Sequence, residues 1–400
     1  MEKNNHKKSD KSFSRRDFIG TVGASAVGIA LGSLDVSHAS DTGNAITSNT
    51  NAKFIRDKNS VKYVTTKIID IHRHCMEKPE GIMGMMSEML IHREENEQYA
   101  VATVDGISSI MYPELMDINI QIRGQNEAGV TKGILSSSMP LESAARSLFL
   151  IPEDKITRTL NDAAHAMVAR YPDKLAFMAT VNPFNKSCVK ECERCLDTLG
   201  AKVINISTSW GGKYLDQPEL DYFWEFVQKK DVVIFLHPPF VPIGHEYMAA
   251  YKLEEMIGRG FDTTMTVVRM IYSGVFDRYP KLKIILPHMG GGLPMFAGRL
   301  DFGYRLGYKG LPQDQIPVCK RKPTDYFRTN LYVDTMGFNP LGIKHVIDLF
   351  GADRILFGSD YAAVPINPRE QVDIVKSLDL SFEDEEKILW KNAERLFKIT

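Results

Sequence analysis

Lys67-Ile68-Ile69-Asp70-Ile71-His72-Arg73-His74-Cys75 is the stretch from which the rest of the chain can be placed. Ile68, Ile69 and Ile71 are β-branched and flanked by polar residues, the pattern of a short buried strand. Side chains alternate along a strand, so Asp70, His72 and His74 are expected on one face. Two imidazoles two residues apart at a strand end can converge on one metal ion. A lone His-x-His is more often two ordinary histidines, and the residues that change this reading lie downstream.

Beyond it, strand and helix patterns alternate. Strand-like runs occupy 133–137, 175–181, 202–206, 232–237, 283–287, 331–334 and 354–357. Helical periodicity occupies 154–171, 187–199, 219–229, 262–278, 295–304 and 341–350, and two closing helices cover 368–377 and 382–397. Eight strands separated by helices imply a parallel sheet and an α/β fold, a (β/α)8 TIM barrel with an insertion after strand 1 and extra C-terminal helices. A doubly wound open sheet is the alternative. No Gly-x-Gly-x-x-Gly follows the first strand, and Gly290-Gly291-Gly292 lacks that spacing, so a dinucleotide site is not expected. The insertion, 76–117, is rich in Met and Glu without a clear period and reads as a lid over the site.

Apolar residues make up 44% and charged residues 25% of the 400, the balance of a soluble globular protein. The formal charge of −1 gives no indication of a polybasic surface for nucleic acid or lipid. Ser14-Arg15-Arg16-Asp17-Phe18-Ile19-Gly20 follows a Lys-rich start and precedes an apolar run to Leu34, with small residues at Ser37-His38-Ala39. This resembles a twin-arginine signal over 1–39, followed by a disordered lead-in over 40–62 and the barrel over 63–400. The expected product is periplasmic or secreted, exported folded, with no integral membrane segment after cleavage. Five cysteines, an odd number, argue against a full disulfide framework. Cys188, Cys192 and Cys195 fall on one helix face with Leu199 and read as helix packing rather than a cluster loop.

In a barrel, active residues sit where strands end. The first strand ends in His72 and His74, the fifth in His237-Pro238-Pro239, the sixth in His288-Met289-Gly290 and the eighth in Gly358-Ser359-Asp360. His92 and His245 fall in loops, His165 and His345 in helices. Three imidazoles and a carboxylate suit one divalent metal, zinc above all and manganese as the alternative, and leave room for water or substrate. His72, His74, His237 and Asp360 are the expected ligands. His288 is placed as the acid/base group near neutral pH.

These motifs resemble the amidohydrolase superfamily, in the amidohydrolase-related branch that includes aminocarboxymuconate-semialdehyde and resorcylate-type decarboxylases. The resemblance covers 67–398. It rests on Asp70-Ile71-His72-Arg73-His74, Tyr171-Pro172-Asp173-Lys174, Leu236-His237-Pro238-Pro239, and Ser273 to Pro280. It continues through His288-Met289-Gly290-Gly291-Gly292, Arg354 to Asp360, and Asn392 to Phe397. It implies the same four ligands, makes His288 the catalytic histidine with Asp360 assisting, and points to a homodimer. Two-metal relatives carry a bridging Lys at the end of the fourth strand; here that end reads Ile204-Asn205-Ile206-Ser207, so one metal is expected. Arg299 matches an arginine that in the decarboxylases binds a substrate carboxylate, in some members across a dimer interface. Trp210 and Tyr361 are further candidates on the substrate side. The expected activity is non-oxidative decarboxylation of a small aromatic or unsaturated acid. Hydrolysis of an amide or lactone by the same site is the alternative, and a non-catalytic binding protein is a third.

Overall fold

Among the residues described, thirteen strands form: β1 (Ile69–His74), β2 (Glu88–Glu94), β3 (Glu97–Val104), β4 (Ile107–Met111), β5 (Lys132–Ser136), β6 (Leu175–Thr180), β7 (Val203–Ser207), β8 (Ser209–Trp210), β9 (Lys213–Tyr214), β10 (Ile234–His237), β11 (Ile284–Leu286), β12 (Leu331–Asp334) and β13 (Ile355–Leu356). The structure is a computed structural model that describes residues 67–77, 88–94, 97–147 and 150–399. The twin-arginine segment, the lead-in and part of the 76–117 insertion lie outside the described residues.

Eight strands make one parallel sheet in the order β1-β5-β6-β7-β10-β11-β12-β13. Past Leu356 the chain runs on beside β1. Ile71 N donates to Phe357 O (3.0 Å), Asp360 N to His72 O (2.8 Å) and His74 N to Tyr361 O (2.9 Å). First and last strands are thereby joined, and the sheet closes as the barrel expected from the alternation.

Two apolar layers hold it. Inside, Ile69, Ile134, Met178, Val203, Phe235, Ile285 and Leu356 pack together, and Leu396 and Phe397 of the last helix, Asn392–Phe397, pack onto the same cluster. Outside, Phe177, Ile204, Leu236 and Leu286 face the helices, among them Trp224 of helix Asp221–Lys230 and Met270 of helix Arg259–Tyr272. Trp224 and Met270 are fully buried. A side chain of that size contributes roughly 1.5–3 kcal/mol when removed from water.

Part of the insertion is regular, contrary to the absence of period read from its sequence. β2, β3 and β4 form an antiparallel sheet, with Val101 opposite Ile110 and Val104 opposite Ile107. The β3–β4 turn is Asp105-Gly106, both at positive φ (48° and 79°), which suits the twist of a two-residue hairpin. Asp-Gly between β-branched residues is the signal that identifies it. The cysteine trio is buried and unbridged, on helix Cys188–Glu193 and the wider π-helical turn Arg194–Thr198.

Candidate metal centre

β1 does not keep strict alternation. Its pairing with β5 shifts register between Asp70 and Arg73, so Asp70 does not share the histidines' direction. Arg73 turns into the helical layer, where Nη1 donates to Gln125 Oε1 (2.9 Å) and Nη2 to Gln121 Oε1 (3.2 Å). Asp70 accepts from Ser359 Oγ (2.6 Å), Ser359 N (3.0 Å) and His72 N (3.2 Å). Its role is to clamp the end of the eighth strand against β1, one residue before Asp360. Burial pushes the Asp70 carboxyl up, against the opposing pull of Arg73 and these hydrogen bonds.

His72, His74, His237 and Asp360 come together from three strand ends, each offering one donor atom within 4.8 Å of the others, and all four are buried. His72 Nε2 lies 3.1 Å from His74 Nε2 and 3.3 Å from Asp360 Oδ1; His74 Nε2 lies 3.1 Å from the same oxygen. Tetrahedral ligands at about 2.1 Å from an ion are roughly 3.4 Å apart, so this spacing fits one metal. The opposite ring nitrogens are all engaged. His72 Nδ1 meets Asp334 Oδ2 at 2.6 Å, His74 Nδ1 meets Ser136 Oγ at 3.0 Å, and His237 Nδ1 meets Pro238 O at 2.8 Å. Each imidazole is thus turned so that Nε2 faces the common point. His237 Nε2 and Asp360 Oδ1 are buried with no hydrogen-bond partner in the protein. A shared cation satisfies both, and the residues fit a divalent ion.

The electrostatics agree. Burial opposes charge on Asp360, yet His72 and the surrounding imidazoles hold its carboxyl well below the usual range. Burial and the neighbouring His74 and His72 hold His237 neutral, well below its ordinary value. For His72, burial alone lowers the value, but the Asp360 and Asp334 carboxylates outweigh it and raise the pKa to about 10.

His288 stands beside this cluster, its Nε2 3.2 Å from Asp360 Oδ2. It is 22% exposed and, with Asp360, lies at the base of a cavity of about 930 Å3. The loop that carries it needs glycine. At Gly291 (φ 62°) an added Cβ would stand 2.3 Å from Gly260 O. At Gly358 an added Cβ would stand 2.9 Å from the Cβ atoms of both His72 and Asp334, so Gly358 lets the eighth strand pass between them.

Asp334, Ser136 and Ser359 were not singled out from the sequence, although Asp334 ends a strand just as the ligands do. Three candidates are placed elsewhere. Tyr361 is buried between β1 and helix Ile118–Ala128, with the Arg73 guanidinium 5.2 Å from its ring and Gly124 against its hydroxyl. Its backbone, rather than its ring, serves the site, because Tyr361 O pairs with His74 N. Trp210 packs beside Leu141, Ala144, Ile156 and Leu160 in a separate cluster. Arg299 is exposed on helix Leu293–Leu306. None of the three lines the cavity within this chain.

Residues 69–399 match the Amidohydrolase family profile. The chain belongs to that family. It is 35% identical over 298 residues to gamma-resorcylate decarboxylase from Polaromonas sp. (strain JS666), covering 71% of this chain and 89% of that protein. Among solved structures it resembles the dihydroxybenzoic acid decarboxylase of Polaromonas sp. JS666, determined with bound manganese and the inhibitor 2-nitroresorcinol (TM-score 0.66, 27% identity, 84% of this chain and 97% of that one). The 5-carboxyvanillate decarboxylase of Sphingomonas paucimobilis shares the fold (TM-score 0.70, 22% identity, 84% and 100% covered). Within the family the chain is a metal-dependent carboxy-lyase.

Metal uptake by the free protein displaces the proton that His72 holds up to about 10, while His237 is already neutral and Asp360 already ionised. Affinity for Mn2+ or Zn2+ therefore rises with pH through the neutral range, about tenfold per unit for one released proton. Calorimetry in buffers of different ionisation enthalpy counts that proton. Asp334→Asn is expected to weaken metal binding roughly 10–100-fold with the far-UV circular dichroism unchanged.

Proposed function

We propose that this member of the family releases CO2 from a small hydroxylated aromatic acid without a redox cofactor. One observation carries the proposal: the four-residue ligand cluster and His288 share Asp360, and Asp360 and His288 line a largely apolar cavity with ample room for a substituted ring. The relatives named above are decarboxylases, which favours this reaction over hydrolysis of an amide or lactone.

His72, His74, His237 and Asp360 would hold a divalent ion, which would supply Lewis acidity when bound. Zinc and manganese both suit this donor set; manganese in the Polaromonas structure supports the latter, and elemental analysis of the purified protein decides. Val101, Ile110, Met336 and Phe338 line the cavity and offer the ring an apolar wall. His288, oriented by Asp360, delivers a proton to the ring carbon that bears the carboxylate. The bond to the carboxyl carbon then breaks, its electron pair returns to the ring, and CO2 departs.

The same reading includes a homodimer. On helix Leu293–Leu306, Met295, Phe302 and Leu306 are 79%, 49% and 51% exposed. They follow at i, i+7 and i+11, and Arg299 at i+4 completes the stripe. An apolar helix face of this kind is a protein contact surface, and Arg299 at its centre is then available to a neighbouring subunit's substrate carboxylate. The N-terminal Arg15-Arg16 motif supports export of the folded enzyme to the periplasm or beyond.

Metal-loaded protein offered a panel of 2-hydroxybenzoates should evolve CO2, and His288→Ala should lower kcat by about 10²–10⁴-fold; amide or lactone cleavage with no CO2 would reverse the assignment. Sedimentation should give a dimer that Met295→Asp with Phe302→Asp dissociates, and Arg299→Ala should raise KM without changing mass. Arg15→Lys with Arg16→Lys should retain the enzyme in the cytoplasmic fraction; unchanged fractionation would remove the export proposal.

A further inference from the structure

Four consecutive residues, His288 (φ 53°), Met289 (φ 56°), Gly290 (φ 78°) and Gly291 (φ 62°), stand in the left-handed region. Glycine takes that conformation at no steric cost, whereas His288 and Met289 carry a Cβ that crowds the following carbonyl. Such a backbone persists only where its surroundings over-determine it. Part of the restraint is hydrogen bonding. Met289 N donates to Asp334 Oδ1 (3.2 Å), Gly291 N to His288 O (2.9 Å) and Gly292 N to Thr264 Oγ1 (2.8 Å).

The remaining restraint is a side chain. Met289 is half-buried and packs onto the apolar layer between the barrel and its helices. Its end lies against Gly337. A Cβ on Gly337 would stand 2.4 Å from Met289 Cε and 2.6 Å from Sδ, and one on Gly342 would make ordinary contact with Cε at 3.7 Å. Gly337 is not at positive φ, so its own backbone does not call for glycine. The thioether does. A methionine is flexible, and it fixes a backbone only where its space is as narrow as this. Asp334 Oδ1 closes the same seat from the backbone side, accepting from Met289 N and from Met336 N (3.1 Å). Met336 and Phe338, on either side of Gly337, line the cavity together with His288.

We propose that Met289 is a positioning residue and Gly337 its seat. The seated thioether holds the left-handed turn, and the turn keeps the His288 imidazole at the cavity and 3.2 Å from Asp360 Oδ2. This rests on the reading of His288 as the proton donor.

Met289→Ala empties the seat, and Gly337→Ala puts a methyl group where the thioether lies. The second clash is with the far end of a flexible chain, so that variant is expected to fold even if the first does not. In the full-length, manganese-loaded protein, each should lower kcat on the 2-hydroxybenzoates about 10–100-fold, the cost of a small misplacement. KM and Mn2+ affinity should stay within about twofold, since neither the cavity wall nor the ligands are altered. Met289→Leu, close in volume, should recover most of the lost kcat. Added to His288→Ala, Met289→Ala should cost less than about twofold more, because it acts through an imidazole already removed. Crystal structures of the manganese-loaded variants should show His288 Nε2 displaced by roughly 1 Å or more from its place in the unaltered protein. Unchanged kcat in both variants, a rise in KM or a loss of Mn2+ affinity that matches the loss of kcat, or the full penalty without His288 overturns the proposal. If no acid yields CO2, the decarboxylase reading falls and the crystal structures decide alone: a displaced His288 upholds the role of Met289. His288 left in place overturns it in either case.

Discussion

Three imidazoles can share one point at a barrel mouth only if each ring is turned the right way, and the acceptors behind them do the turning. The shortest of these contacts, His72 Nδ1 to Asp334 Oδ2 at 2.6 Å, joins two side chains with no solvent exposure. A carboxylate buried in that position is costly unless paired, and the pairing commits the ring to presenting Nε2 inward. Asp334 does more with its other oxygen, which accepts from Met289 N (3.2 Å) and Met336 N (3.1 Å). One buried acid therefore orients a ligand and the loop that carries His288.

The second constraint is the seam where the barrel closes. Asp360 belongs to the end of the chain and the His72/His74 pair to its beginning. They meet because the last strand pairs with the first, and because Asp70 grips Ser359 through both its backbone N–H and its hydroxyl. The bulge in β1 makes this possible: it directs Asp70 to the seam, Arg73 to the helices and the two histidines to the centre.

Floor and walls of the cavity come from different parts of the chain. Strand ends supply His288 and Asp360, whereas the walls come from the inserted sheet (Val101 to Tyr112), the 252–261 segment and the residues after Asp360. The floor sets the chemistry shared with the family. The walls include Lys252, which is paired with Glu254 and Glu255. An enzyme organised in this way can change substrate without disturbing its metal ligands.

The alternation of strands and helices, the eight-stranded barrel and the clustering of His72, His74, His237, His288 and Asp360 at strand ends were legible in the sequence. Hydrophobic period and turn residues are local consequences of backbone geometry. The same local reasoning placed Asp70 on the wrong face, because a bulge leaves no mark on the period. It offered Tyr361 and Trp210 on the substrate side, where the structure shows Tyr361 beside the Arg73 guanidinium and Trp210 beside Leu141, Ala144, Ile156 and Leu160, and it passed over Asp334. Which way a side chain points, and whether its donors find partners, depends on elements distant in the chain that only folding brings together.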